Sequence, residues 1–159
     1  MNRFFTSDWH LDDNRLGIED GKPNVFYRPF KSVEDQNETI ISNLINFDFK
    51  DGDELIHLGD VTVELGGASY EAFNRIRYTF PKSKFTLILG NYDTDKINYL
   101  SSFFNEVVES KTITIKDKEY YLNHYPEKCI DKEFGLTGHI HSYWKVQKNM
   151  IKMFFLIKL

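Results

Sequence analysis

Over the first hundred residues, short apolar runs that stop at a polar residue alternate with longer stretches whose apolar positions recur every three or four residues. The first run, Arg3 to Ser7, ends at Asp8 and reads as a strand that stops at a polar loop. Residues 11 to 31 scatter charge among Gly17, Gly21, Pro23 and Pro29 and predict a long loop. A helix follows. Ser32 is placed to cap it, and Glu34 and Asp35 fall in the first turn, where the helix dipole favours negative charge. Val33, Ile40, Ile41, Leu44 and Ile45 then give an apolar stripe at helical spacing.

The same alternation continues. Glu54 to Leu58 predicts a short buried strand ending at Gly59-Asp60, and Tyr70, Phe73, Ile76 and Phe80 predict a second helix stopped by Pro81. Lys84 to Leu89 predicts a strand ending at Gly90-Asn91, and residues 95 to 104 read as helical. Thr112 to Ile115 and Tyr120 to Leu122 alternate as hairpin strands around a turn at Lys116 to Glu119, and the second strand ends at Asn123-His124. Gly135 to Thr137 lead into Gly138-His139-Ile140-His141. Helices and strands alternate early and strands dominate late, an α/β layout of two packed sheets with outer helices.

Composition narrows this picture in three ways. The 159 residues are 41% hydrophobic with 14 Phe and 9 Tyr, enough for one domain with a sizeable core. The net charge of -4 does not mark a nucleic-acid binder that works by bulk charge, and leaves a local basic groove open. Cys129 is the single cysteine, so no internal disulfide forms, which favours a reducing setting. No signal-peptide pattern opens the chain and no run is long enough to span a membrane, so a cytoplasmic location is expected.

The chemistry gathers at the ends of the predicted strands. Asp8-Trp9-His10, Gly59-Asp60, Gly90-Asn91-Tyr92-Asp93, Asn123-His124 and Gly138-His139-Ile140-His141 each follow one. Ligands of α/β sheets bind beyond the carboxyl ends of strands, so five sequence-distant clusters are expected to converge. Asp8 and His10 are two apart, as are His139 and His141, so each pair can point the same way. Asp60 can bridge two cations through its two oxygens, and Asn91 offers a neutral amide oxygen. Oxygen and nitrogen donors without a thiolate suit Mn, Fe, Ni or Zn better than Ca.

The order D-x-H, G-D, G-N-x-D, a lone His and G-H-x-H resembles the calcineurin-like metallophosphoesterases, over residues 4 to about 145. That resemblance implies a four-layer α/β/β/α sandwich, two mixed sheets flanked by helices. It implies one metal held by Asp8, His10, Asp60 and His141, and another by Asp60, Asn91, His124 and His139. It also implies a metal-dependent phosphohydrolase, with a phosphodiesterase favoured. Two cations about 3.5–4 Å apart would share a hydroxide that attacks phosphorus in line with the leaving oxygen. Mn is the favoured metal, with Ni, Fe or Zn as alternatives. The expected substrate is a phosphate ester, such as a nucleotide or short nucleic acid. No membrane partner is expected, and the oligomeric state stays open, a homodimer included.

Two departures bear on catalysis. Where many relatives carry His inside the G-N-x-D motif, this chain has Tyr92, whose ordinary pKa of about 10 suits it poorly to protonate a leaving group. Tyr92 therefore favours substrates with good leaving groups. Arg28, in Tyr27-Arg28-Pro29-Phe30, is the candidate phosphate contact outside the metals, and a guanidinium matches phosphate oxygens in bidentate fashion. The other reading of Arg28 is a surface loop residue. His57 is read as a core or supporting histidine, Asp93 as a turn or supporting residue, and Asp12 and Asp13 as either rimming the site or solvated, the second favoured. Two readings of the apolar tail from Met150 to Leu159 stay open: an edge strand that closes a sheet, or a frameshifted or truncated end of the single domain. The runner-up function is a binding scaffold on the same fold that has lost turnover.

Overall fold

The structure is a computed structural model; it describes residues 1–14 and 30–139 in full, and 18–19, 22–23, 146–147, 150–152 and 157–158 as backbone. β1 (Arg3–Thr6), β4 (Glu54–His57), β5 (Lys84–Ile88) and β6 (Glu106–Val108) pair in parallel, in that order. β12 (Ile157–Lys158) adds antiparallel to the outer side of β1, through Phe4 opposite Lys158 and Phe5 opposite Ile157. The tail thus supplies an edge strand. A second sheet runs β10 (Val146–Gln147), β11 (Met150–Lys152), β9 (Gly135–Thr137), β8 (Lys118–Asn123), β7 (Ser110–Ile115). A separate two-stranded ribbon joins β2 (Ile18–Glu19) and β3 (Lys22–Pro23).

Strand alternation sorts the first sheet's side chains into two cores. Phe4, Leu55 and Phe85 form one row across the sheet and face α1 (Val33–Asn46) and α2 (Gly67–Thr79), meeting Ile41, Leu44, Phe73 and Ile76. Phe5, Ile56 and Ile88 face the other way and pack on Ile113, Leu122 and Leu136 of the second sheet. Helices, sheet and sheet are therefore three successive layers. The fourth, helical layer implied by the family resemblance has no α-helix among the described residues; after β8 the chain makes only a 3-10 turn, Pro126–Cys129, against β8 and β9.

Ser32 caps α1 as expected, its hydroxyl accepting from the Asp35 amide at 3.2 Å. The cap of α2 comes from elsewhere in the chain. Gly66 at its N-cap brings no side chain, and Asp12 Oδ2 accepts the Ser69 amide at 3.0 Å instead. Asn37 of α1 donates to Asp12 Oδ1 at 2.7 Å, so one carboxylate ties both helices to the loop after β1. The expected helix at 95 to 104 is shorter: a 3-10 turn at Thr94–Lys96 leads into a single α turn, α3 (Ile97–Leu100), before the chain bends to β6. The hairpin turn is also tighter than expected. Lys116 and Asp117 alone form it, with φ of 48° and 64°, the left-handed pair that matches the twist of flanking strands.

Candidate metal centre

The parallel register aligns Thr6, His57 and Leu87, so the loops after β1, β4 and β5 leave the sheet side by side. Backbone bonds continue that alignment past the strands. The Asp8 amide donates to Gly59 O at 2.9 Å, and the His10 and Leu11 amides to Asp60 O and Val61 O, both at 3.0 Å. From the second sheet, β8 and β9 deliver His124 and His139 to the same place, and the His139 amide donates to Asp8 Oδ1 at 3.1 Å.

Five of the expected ligands come together here. Asp8, His10 and Asp60 form one triad, and Asp60, His124 and His139 a second, with the donor atoms of each within 4.8 Å of one another. Asp60 Oδ2 lies 3.6 Å from His10 Nε2 and 3.3 Å from His124 Nε2. His139 Nδ1 is 3.2 Å from His124 Nε2. His124 Nδ1 faces the Leu58 carbonyl at 2.7 Å; a carbonyl only accepts, so Nδ1 carries the proton and Nε2 is the nitrogen turned into the cluster.

The backbone beneath these groups is held in an unusual form. Asp8, His10, Asp60 and His139 all have positive φ, at 53°, 48°, 59° and 70°. Non-glycine residues rarely adopt that region, and such strain gathers at functional sites. Gly59, at φ 93°, and Gly90 make the close approach feasible. A methyl on Gly90 would lie 2.3 Å from Asp60 Oδ1 and 2.6 Å from the Asp60 amide nitrogen. Gly90→Ala is therefore expected to destabilise the protein by about 3 kcal/mol, the upper end of overpacking costs. Urea unfolding of the variant beside wild type measures it; equal stability would show that the loop yields freely.

Burial and charge set the protonation of the cluster. Burial pushes the Asp8 carboxyl up to about 6, against the opposing effects of the His124 charge and the Ser7 hydroxyl, which donates to Asp8 Oδ2 at 2.5 Å. Burial also opposes ionisation of Asp60, but the hydrogen bond and charge of His124 and the Tyr92 amide outweigh it and hold that carboxyl below its usual range. Asp60 reciprocally raises His124 against the effect of its burial. Buried carboxylates drawn together around imidazoles, with oxygen and nitrogen donors only, fit a divalent transition metal.

Tyr92 packs its ring edge-on to His10, centroids 5.2 Å apart, and its amide donates to Asp60 Oδ1 at 3.0 Å. Asn91, between Gly90 and Tyr92 in the chain, is exposed. Arg28 and His141 lie outside the described residues. Asp12 and Asp13 correct the sequence reading. Asp12 is the helix cap described above, and Asp13 is buried, with Oδ2 3.8 Å from His10 Nδ1. The i,i+3 spacing of His10 and Asp13 was the one signal for that proximity. Sequence reasoning missed Tyr125, whose ring stands 5.0 Å from that of His124 and 5.2 Å from that of His139.

No protein-family profile matches the chain, and no curated protein matches it. Solved structures do. A protein of unknown function from Aquifex aeolicus, AQ665, superposes with a TM-score of 0.66 at 23% identity, over 96% of this chain and 88% of that one. YfcE, a phosphoesterase from E. coli, gives 0.52 at 15% identity, over 96% and 78%. Vacuolar protein sorting 29 from Cryptosporidium parvum gives 0.50 at 12% identity, over 95% and 72%. The chain is thus a two-sheet α/β protein that shares the fold of YfcE and vacuolar protein sorting 29, with acid-imidazole clusters able to bind metal at the ends of its strands.

Proposed function

We propose that this chain is a metal-dependent phosphoesterase, with phosphodiesters its favoured substrates and nucleotides or short nucleic acids their expected source. The observation that carries the reading is the placement of one carboxylate, Asp60, in both triads. Asp8, His10 and Asp60 would hold one divalent cation and Asp60, His124 and His139 the other, with Asn91 and His141 completing the sets and Mn favoured over Ni, Fe or Zn. When bound, the cations supply activation of water near neutral pH and neutralise charge on the phosphate.

The chain's own residues do the rest. Asp60, held as a carboxylate, spans the two sets. The Leu58 carbonyl keeps His124 Nε2 aimed inward. Tyr92, beside His10, offers a phenolic hydroxyl where many relatives carry histidine, which favours esters with good leaving groups. Arg28 is proposed to hold the non-bridging phosphate oxygens. The fourth sandwich layer and a single domain over residues 1–159 belong to the same proposal.

Chelator-stripped protein, supplied with Mn, Ni, Zn, Mg or no metal, tests the reading on bis-para-nitrophenyl phosphate and para-nitrophenyl phosphate. Diester hydrolysis that returns with Mn or Ni is expected. Folded protein that hydrolyses neither ester under any metal would replace this reading with that of a scaffold, which Tyr92 in place of the usual histidine already favours as the alternative.

A further inference from the structure

We propose that Asp93 is a positioning residue: its carboxylate fixes the strained backbone under Asp60 and so aims the shared carboxylate at both triads. Asp93 is fully buried, at 0% exposure. Its Oδ2 accepts from the amides of Asp60 at 2.8 Å and Gly90 at 2.9 Å, and its Oδ1 from the amide of Val61 at 3.0 Å. A residue that only shaped its own turn would bond within it. Asp93 does so through Gly90, but it also reaches across 33 and 32 positions to the loop after β4.

One of the bonded amides belongs to Asp60, whose φ of 59° lies in the left-handed region. A buried N–H without an acceptor is costly, so the carboxylate of Asp93 makes that conformation the satisfied one. The same side chain holds Gly90, whose Cα faces Asp60 Oδ1 at a separation that leaves no room for a methyl. Without Asp93 the two loops lose their common acceptor. Asp60 is then free to relax toward negative φ, which swings its carboxylate off the line to His10 and His124. The geometry stands by itself; its consequence for metal rests on the phosphoesterase reading above.

The test compares wild type with Asp93→Asn, and with Asp93→Glu, which keeps the charge at a different reach. Amide hydrogen exchange is read on metal-free protein, and Mn²⁺ affinity by calorimetry without substrate. In Asp93→Asn the one remaining oxygen can serve only one of the two positions, so exchange at Val61, or at Asp60 and Gly90 together, is expected to rise at least about tenfold while amides of α1 and β5 keep their protection. The Mn²⁺ dissociation constant is expected to rise about 10–100-fold. Asp93→Glu is expected to show the same local pattern to a smaller degree, and it carries the comparison if the Asn variant does not fold. Unchanged protection at the three amides, a uniform rise across the protein, or unchanged Mn²⁺ affinity would overturn the proposal. If wild type itself takes up no Mn²⁺, the phosphoesterase reading is what fails, and the exchange measurements alone decide whether Asp93 holds Asp60.

Discussion

Asp60→Asn is expected to lower metal-dependent kcat/KM on a phosphodiester by at least about 10³ while leaving the fold intact. The substitution is nearly isosteric. An amide oxygen can still accept the Tyr92 N–H that Asp60 Oδ1 accepts at 3.0 Å, so the loop keeps its hydrogen bond. What changes is the atom facing His10 and His124, at 3.6 and 3.3 Å from Oδ2, which becomes an uncharged donor. Both triads lose a ligand at once, because both contain Asp60. Losing a single preorganised electrostatic contact in an active site already costs about 10²–10³, and on the proposed reading the charge that would hold two cations goes with it. Steady-state kinetics with added Mn and metal content by elemental analysis measure the effect, with circular dichroism as the check on folding. An Asp60→Asn protein with full activity would remove the shared carboxylate from the site.

The second large effect is on stability. His57 is 0% exposed, lies edge-on to Trp9 with centroids 4.7 Å apart, and has no hydrogen-bond partner at either ring nitrogen among the described residues. Burial lowers its pKa from 6.5 to about 3. Between those values the unfolded chain binds a proton that the folded protein refuses, so stability falls as pH falls, by about 1.4 kcal/mol per unit. By pH 5 the loss is about 2 kcal/mol, out of a total of about 5–15 kcal/mol for a typical domain. Asp8 acts with the opposite sign in metal-free protein. Its carboxyl, raised from 3.8 to about 6, takes up a proton in the folded state first and adds stability as pH falls through that window. Wild type alone therefore shows a blunted slope, and the contribution of His57 emerges by difference. His57→Leu should be at least as stable as wild type at pH 7, since unsatisfied buried nitrogens cost about 1–3 kcal/mol and the lost ring contact about 1 kcal/mol. Its advantage should grow by about 2 kcal/mol between pH 7 and pH 5, read by urea unfolding in chelator. Parallel pH profiles for the two proteins would mean that His57 titrates freely.

Much of this arrangement is legible in the residue order because its signals are local. A β-strand announces itself in four or five apolar residues, and each polar cluster that follows one lands on the same edge once the strands run parallel. The motif order extends that to a ligand set, of which Asp8, His10, Asp60, His124 and His139 are seen together. What escaped has a physical reason in each case. Asp12 and Asp13 look solvated beside Asn14 and Arg15, yet one caps a helix that begins 55 positions later, at Gly67, and the other is buried beside His10. Capping across that distance leaves no periodic trace. The stretch from 95 to 104 has helical composition, but it bends after one turn so that Asn105 can accept from the Phe85 amide through its side chain, at 2.8 Å, and lead β6 to the sheet edge. The left-handed backbone at four candidate ligands is equally silent, since Asp and His are ordinary residues everywhere else.

The hydrogen bond from the His139 amide to Asp8 joins residues 131 positions apart. Closing so long a loop is unfavourable until the sheets around it exist, and topologies rich in distant contacts fold slowly. Of the residues in the two triads, Asp8 leaves the ribosome first and His139 last, so the cluster stays incomplete until the chain has passed β9. On the proposed reading, cation capture would be a late event in the protein's birth, one that reports on completed assembly.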